Sequence, residues 1–186
     1  MSDAIVLLVG ESNPYGNHAS FALYDEPPQS AGGRLRRLVL GMSHRDYMRQ
    51  TARANCCTGR WSIPAARVRA AALDRADASV GPTACLNRTP IVLLGAKVAQ
   101  AFGLAFVPYT TQKTAAGRTA LILPHPSGLS RAWNEPGAFL RVRRAVADLV
   151  PDLAVRCTCA SKRTVSGNSC AECGFKVVFG QAGTPT

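Results

Sequence analysis

Acidic residues are scarce in this 186-residue chain: eleven Asp and Glu stand against twenty-two Lys and Arg, leaving a net charge of +11. Nearly all the cations are arginine, whose planar fork suits phosphate oxygens, so the imbalance points to a polyanionic partner. Nucleic acid is the first candidate and an anionic membrane surface the second. The second is disfavoured, because no long basic amphipathic helix can be read in the chain. No run of about twenty apolar residues is present to span a bilayer, and Met1-Ser2-Asp3-Ala4 lacks the basic flank of a signal peptide. A soluble, cytoplasmic protein with no membrane partner is expected. Charged residues make up only 18% against 47% hydrophobic, which excludes a disordered chain. A Gly-x-Ser-x-Gly elbow, a P-loop and a two-histidine metal motif are all missing, and the hydrolase classes they mark fall away with them.

What is there reads as alternating strands and helices around one core. Ala4 to Val9 is a continuous apolar run closed by Gly10, as in a central parallel strand covered on both faces. The segment from Phe21 to Gly33 is rich in Pro and Gly and is expected to wrap the surface. Leu35, Leu38 and Val39 mark an arginine-bearing helix, and Ser43 offers an N-cap for a helix carrying Asp46 and Tyr47. Ala52 to Cys57 reads as a short strand or loop that brings Asn55 to the rim of the sheet. Ala65 to Ala76 reads as a helix, Pro90 to Gly95 as a second apolar strand, Ala96 to Phe102 as its following helix, and Thr119 to Leu123 as a third strand. Asn134-Glu135-Pro136 supplies an N-cap and an early proline for a helix with the apolar face Phe139, Val142, Val146, Leu149 and Val150.

The last strand stops at Pro124 and presents His125, after which Pro126-Ser127-Gly128-Leu129-Ser130-Arg131 follow. Alone, a histidine beside a strand satisfies a loop as readily as it serves a site. On a parallel sheet its loop lies near the loop after the first strand, Gly10-Glu11-Ser12-Asn13-Pro14-Tyr15-Gly16. These two stretches, in this order and with Leu94-Gly95-x-x-Val98-Ala99 between them, resemble the uracil-DNA glycosylase superfamily from about Ile5 to Asn134.

That resemblance implies a three-layer α/β/α sandwich with a mainly parallel sheet, and a monofunctional DNA glycosylase that leaves an abasic site without a catalytic metal. His125 would hydrogen-bond the base oxygen that gains charge as the glycosidic bond breaks, and Asn13 would position the attacking water. Family members with Asp at that position have a possible general base, whereas Asn only orients water, so slower hydrolysis or an easier leaving group is implied. Glu11, beside Ser12, either assists or ties down the loop backbone. Asn55 would read the pyrimidine edge, and Phe21 or Tyr24 would stack on the extruded base. Tyr15 would crowd the pyrimidine 5-position, but Gly16 stands where the best-known uracil enzymes have His and leaves room nearby. The implied base is therefore uracil in a repair setting, or a larger 5-substituted pyrimidine of modified phage DNA in a defence setting. Leu129 would wedge into the base stack, Ser127, Ser130 and Arg131 would grip flanking phosphates, and Trp133 would brace the loop. The other class of reading is a non-catalytic DNA-binding module with the same fold. A monomer is expected.

Seven cysteines are an odd number, which disfavours a disulfide scaffold. Cys56, Cys57 and Cys85 read as buried structural thiols. Cys157-x-Cys159, ten residues, then Cys170-x-x-Cys173 enclose the turn-forming Ser166-Gly167-Asn168. Four thiolates at this spacing come close to a Cys₄ zinc ribbon, with an iron–sulfur cluster or free thiols as the alternatives. The expected organisation is a glycosylase domain over residues 1–153, a zinc-ribbon-like appendage over 154–180 and a disordered tail over 181–186.

Overall fold

The computed structural model describes residues 4–12, 18, 21–76, 89–127, 131–133, 135, 137–151, 153, 165–166 and 169–170. A five-stranded sheet organises them. Its strands are β1 (Val6–Gly10), β2 (Thr51–Asn55), β3 (Ile91–Leu94), β4 (Thr110–Lys113) and β5 (Thr119–Leu123), in the spatial order β2-β1-β3-β5-β4. All pairings are parallel except β4 with β5. β1 is buried along its whole length because the sheet is covered on both sides. Val6 and Leu8 face one apolar cluster, whereas Leu7 and Val9 face another.

The first cluster is closed by α1 (Ala31–Arg34), the π-helical turn Leu35–Leu40 that continues it, α2 (His44–Gln50) and α5 (Ala138–Leu149). The second lies under α3 (Ile63–Arg75) and α4 (Ala96–Ala101), which contribute Ala66, Ala70, Val98 and Ala101. Helices thus pack on both faces of the sheet, as in a three-layer α/β/α sandwich. Connections leave β1 toward β2 on one side, while β3 lies on the other, so the carboxyl ends of these strands form a crevice where the order reverses.

Local signals explain most of these elements. The Ser43 hydroxyl accepts the Asp46 N–H at 3.1 Å and caps α2, as its sequence predicts. In α5, Val142, Val146 and Val150 are buried, which bears out that helix's apolar face. Its N-cap is Gly137 at φ 73°, not Asn134, so the helix begins after Pro136 rather than before it. Arg143 on the same helix is also buried and donates to the Leu38 carbonyl at 3.0 Å, an inward cation with no counterpart in the apolar pattern.

The segment from Phe21 to Gly33 wraps the surface only in part: Glu26, Pro27 and Gln29 are exposed, but its two ends are drawn inward. Leu23 and Asp25 are buried, and the fully buried Tyr47 donates its hydroxyl to the Leu23 carbonyl at 2.9 Å. Burial also pushes the Tyr47 phenol above its ordinary pKa. Gly32 makes this packing possible: a Cβ there would lie 2.1 Å from the Leu23 carbonyl oxygen. Asp25 is neutralised in the interior by Arg36, and His44 Nδ1 lies 2.9 Å from its Oδ2. Trp133 is likewise a core residue, 5.7 Å from Phe139 between ring centroids. β4 was not legible, since Thr110-Thr111-Gln112-Lys113 is polar and largely exposed. Pairing with β5 makes it a strand.

In the C-terminal segment, β6 (Val165–Ser166) and β7 (Ser169–Cys170) form an antiparallel hairpin. The side chain of Cys170 is not described, and Cys85, Cys157, Cys159 and Cys173 lie outside the described residues. Among the described residues, no helix is long and apolar enough to cross a membrane.

Candidate active site

The crevice at the carboxyl end of the sheet holds a cleft of about 200 Å³. Three strand ends meet there. Gly10, Glu11 and Ser12 come from β1, Asn55 ends β2, and His125 with Ser127 follows β5. Phe21 and Tyr24 form the facing wall, with Leu23 and the turn Gln29 to Gly32 behind them. Seven of the residues expected in a site from sequence are therefore gathered around one cavity: Glu11, Ser12, Phe21, Tyr24, Asn55, His125 and Ser127. Asn13, Tyr15, Leu129 and Ser130 lie outside the described residues, and the backbone of Arg131 opens a short 3₁₀ turn, Arg131–Trp133.

Backbone hydrogen bonds fix the floor. The β1–β2 ladder pairs Gly10 with Asn55 and continues past them, because Cys56 N–H donates to the Gly10 carbonyl at 3.0 Å and Cys57 N–H to the Glu11 carbonyl at 2.9 Å. Asn55 lies so close over β1 that a Cβ at position 10 would stand 2.7 Å from its Oδ1. Glycine is the residue that lets this amide sit over the neighbouring strand. Cys56 and Cys57 are buried free thiols, as expected. Burial raises the Cys56 thiol to about 12, with Cys57 and Glu11 adding to the rise, so it is protonated and inert.

His125 is half-buried, and Ser127 N–H donates to its Nδ1 at 3.3 Å. With Nδ1 acting as acceptor, a neutral ring carries its proton on Nε2. Burial is the main reason its pKa is held below the ordinary 6.5, Lys97 lowers it further, and Glu11 opposes both. Near pH 7 the ring is therefore uncharged, with one N–H donor to offer.

Glu11 and His125 share the space above Gly95. A Cβ on that glycine would lie 3.2 Å from both Glu11 Oε1 and His125 Cβ. The other carboxylate oxygen, Oε2, is 3.1 Å from Lys97 Nζ, in the first turn of α4. The Glu11 carboxylate is thus held by the Lys97 ammonium, and its carbonyl anchors the chain to β2. Among the described residues, no group of three or more His, Cys, Asp or Glu side chains is placed to hold a metal.

No protein-family model matches the chain, and no curated protein does either. The chemistry must be read from the site itself.

On the far wall, Phe21 and Tyr24 meet edge to face at 5.9 Å, and Tyr24 meets His44 in the same way at 6.4 Å. Phe21 remains 43% exposed, a large ring left open at a cleft mouth rather than spent on the core. Sequence reasoning missed Gln29, Ser30 and Lys97. The first two were hidden in a Pro- and Gly-rich stretch without periodicity. Lys97 carried a signal that went unused, a cation two residues after the glycine that separates β3 from α4.

Proposed function

We propose that the cleft is the base pocket of a DNA glycosylase of the uracil-DNA glycosylase type, which hydrolyses the bond between a pyrimidine and its deoxyribose. One observation carries the reading: His125 lines the cleft with its Nδ1 accepting the Ser127 N–H, which leaves Nε2 as the donor of a neutral ring. When the C1′–N bond breaks, its electron pair stays on the base and spreads onto a carbonyl oxygen of the base. A fixed Nε2–H that meets this oxygen stabilises charge present only in the transition state. Water adds to the cationic C1′, and its proton leaves to a carboxylate or to solvent. Glu11, with Oε1 on the His125 side, is the described acceptor nearest to this chemistry, and Asn13 orients the water.

Asn55 supplies both a donor and an acceptor to the edge of the base, and Phe21 and Tyr24 supply aromatic surface to its face. A cleft of about 200 Å³ is smaller than the ~300–1,000 Å³ typical of drug-sized sites and suits one heteroaromatic ring. The base is uracil or a 5-substituted pyrimidine, and Leu129 fills its place in the stack while Ser127, Ser130 and Arg131 hold flanking phosphates. Cys157, Cys159, Cys170 and Cys173 hold a structural zinc. The β6–β7 hairpin, whose second strand ends on Cys170, supports that assignment.

Duplexes carrying uracil or bulky 5-substituted cytosines, incubated with the protein and cleaved with alkali, test the reading. Abasic sites on at least one substrate are expected, and none on any of them refutes it. On the substrate that reacts, His125→Ala should slow excision about 10²–10³-fold, the usual cost of one lost donor to a developing anion.

A further inference from the structure

One flank of the cleft carries more positive charge than the fold requires. α3 starts at the rim, and its single acid, Asp74, is buried and turned inward, where it accepts the Ala116 N–H at 3.0 Å. Its cations Arg67, Arg69 and Arg75 all point outward, as does Arg60 in the loop before it. Among the described residues, none of Arg60, Arg67 and Arg69 is ion-paired. Exposed helices commonly intersperse charges of both signs, and this one shows a single sign.

The cations at the rim are also organised. Lys97 Nζ lies 5.7 Å from the centroid of Trp61, whose ring packs against the core beneath α3 and α4. Through Glu11 the same ammonium reaches the cleft. Arg69 stands on α3 between Ala66 and Ala70, which belong to the same apolar cluster as Cys56, the residue after β2.

We propose that Arg60, Arg69 and Lys97, exposed along the α3–α4 flank with Lys97 over Trp61, form a contact surface for the phosphates of the DNA strand that feeds the cleft. This surface rests on the glycosylase reading of the cleft and extends it. Turning a nucleotide out of the stack is costly, and contacts to the backbone on either side of it offset that cost. The loop after His125 serves one side. The α3–α4 flank serves the other, with two guanidinium forks and an ammonium held over an indole.

Position, not total charge, is the test. Arg60→Ala with Arg69→Ala removes two charges at the rim. Arg75→Ala with Lys113→Ala removes two at the other end, since Arg75 is about 9 Å further along α3 than Arg69 and Lys113 bonds Thr119 at the start of β5. Binding of the full chain to a labelled, unmodified duplex is followed by fluorescence anisotropy over a salt series. For the rim pair, the slope of log K against log salt should fall by about 1.8, near 0.9 for each lost phosphate contact. The distal pair should keep the wild-type slope. Equal slopes for the two variants, or wild-type behaviour of the rim pair, would overturn the proposal. Excision on the substrate panel reads the cleft separately. A rim-specific loss of slope without abasic sites keeps the surface and removes the glycosylase, whereas abasic sites with equal slopes do the reverse.

Discussion

Gly95→Ala perturbs the site from underneath without removing any group from it. The glycine N-caps α4 at φ 107°, a conformation that an L-residue reaches only under strain of about 1–3 kcal/mol. The new methyl would also stand 3.2 Å from Glu11 Oε1 and from His125 Cβ, tighter than ordinary contact, so both must retreat by a few tenths of an ångström. For a chain of this size, about 2 kcal/mol lowers Tm by roughly 4–8 °C. Gly103→Ala isolates the two effects, because Gly103 also has positive φ, 72°, but a Cβ there meets nothing within 4 Å. Both variants should melt early. Only Gly95→Ala should shift the His125 ring resonances in NMR spectra and slow excision, by about tenfold, given that misplacement by about 1 Å costs about 10². Unchanged ring resonances in Gly95→Ala, or equal changes in the two variants, would refute the claim that Glu11 and His125 share the space above this glycine.

The depressed pKa of His125 makes stability depend on pH with a definite sign. As pH falls below about 6.5 the unfolded chain takes up the proton first, so stability is complete above that value and is lost toward the folded-state value. His125→Gln should flatten this part of a curve of denaturant midpoint against pH, and matching curves would show that the ring is not held neutral. Asn55→Asp keeps the shape of the side chain but removes its donor, so pyrimidine discrimination should change more than DNA affinity, as a ratio of excision rates on the substrate panel would show. Metal analysis of anaerobically purified protein should find about one zinc per chain, and Cys170→Ser should reduce it. Metal-free wild-type protein would remove the ribbon.

Much of this architecture was legible because the signals were local. Continuous apolar runs gave β1, β3 and β5, and the Ser43 cap gave α2. The cleft was legible for a related reason: Glu11, Asn55 and His125 all stand at strand ends, and in a parallel sheet strand ends converge. What was hidden depended on contacts distant in sequence. Residues 21–33 look like a surface loop, yet Tyr47 and the close approach at Gly32 draw their two ends inward. β4 has no apolar pattern and exists through its partner strand. Lys97 gained its place from Glu11, 86 residues earlier.

The β1–β2 ladder that runs on through Cys56 and Cys57 divides the site into parts that can change separately. Glu11 and Asn55 belong to one hydrogen-bonded deck, so their spacing is set by the sheet and is indifferent to the loops around it. The aromatic wall and the Gln29 to Gly32 turn belong to another segment, which packs on that deck through Leu23 above Gly10. The wall can therefore be exchanged without altering the spacing of Glu11 and Asn55. Under the glycosylase reading, a scaffold divided in this way would admit a new base by a change of wall alone.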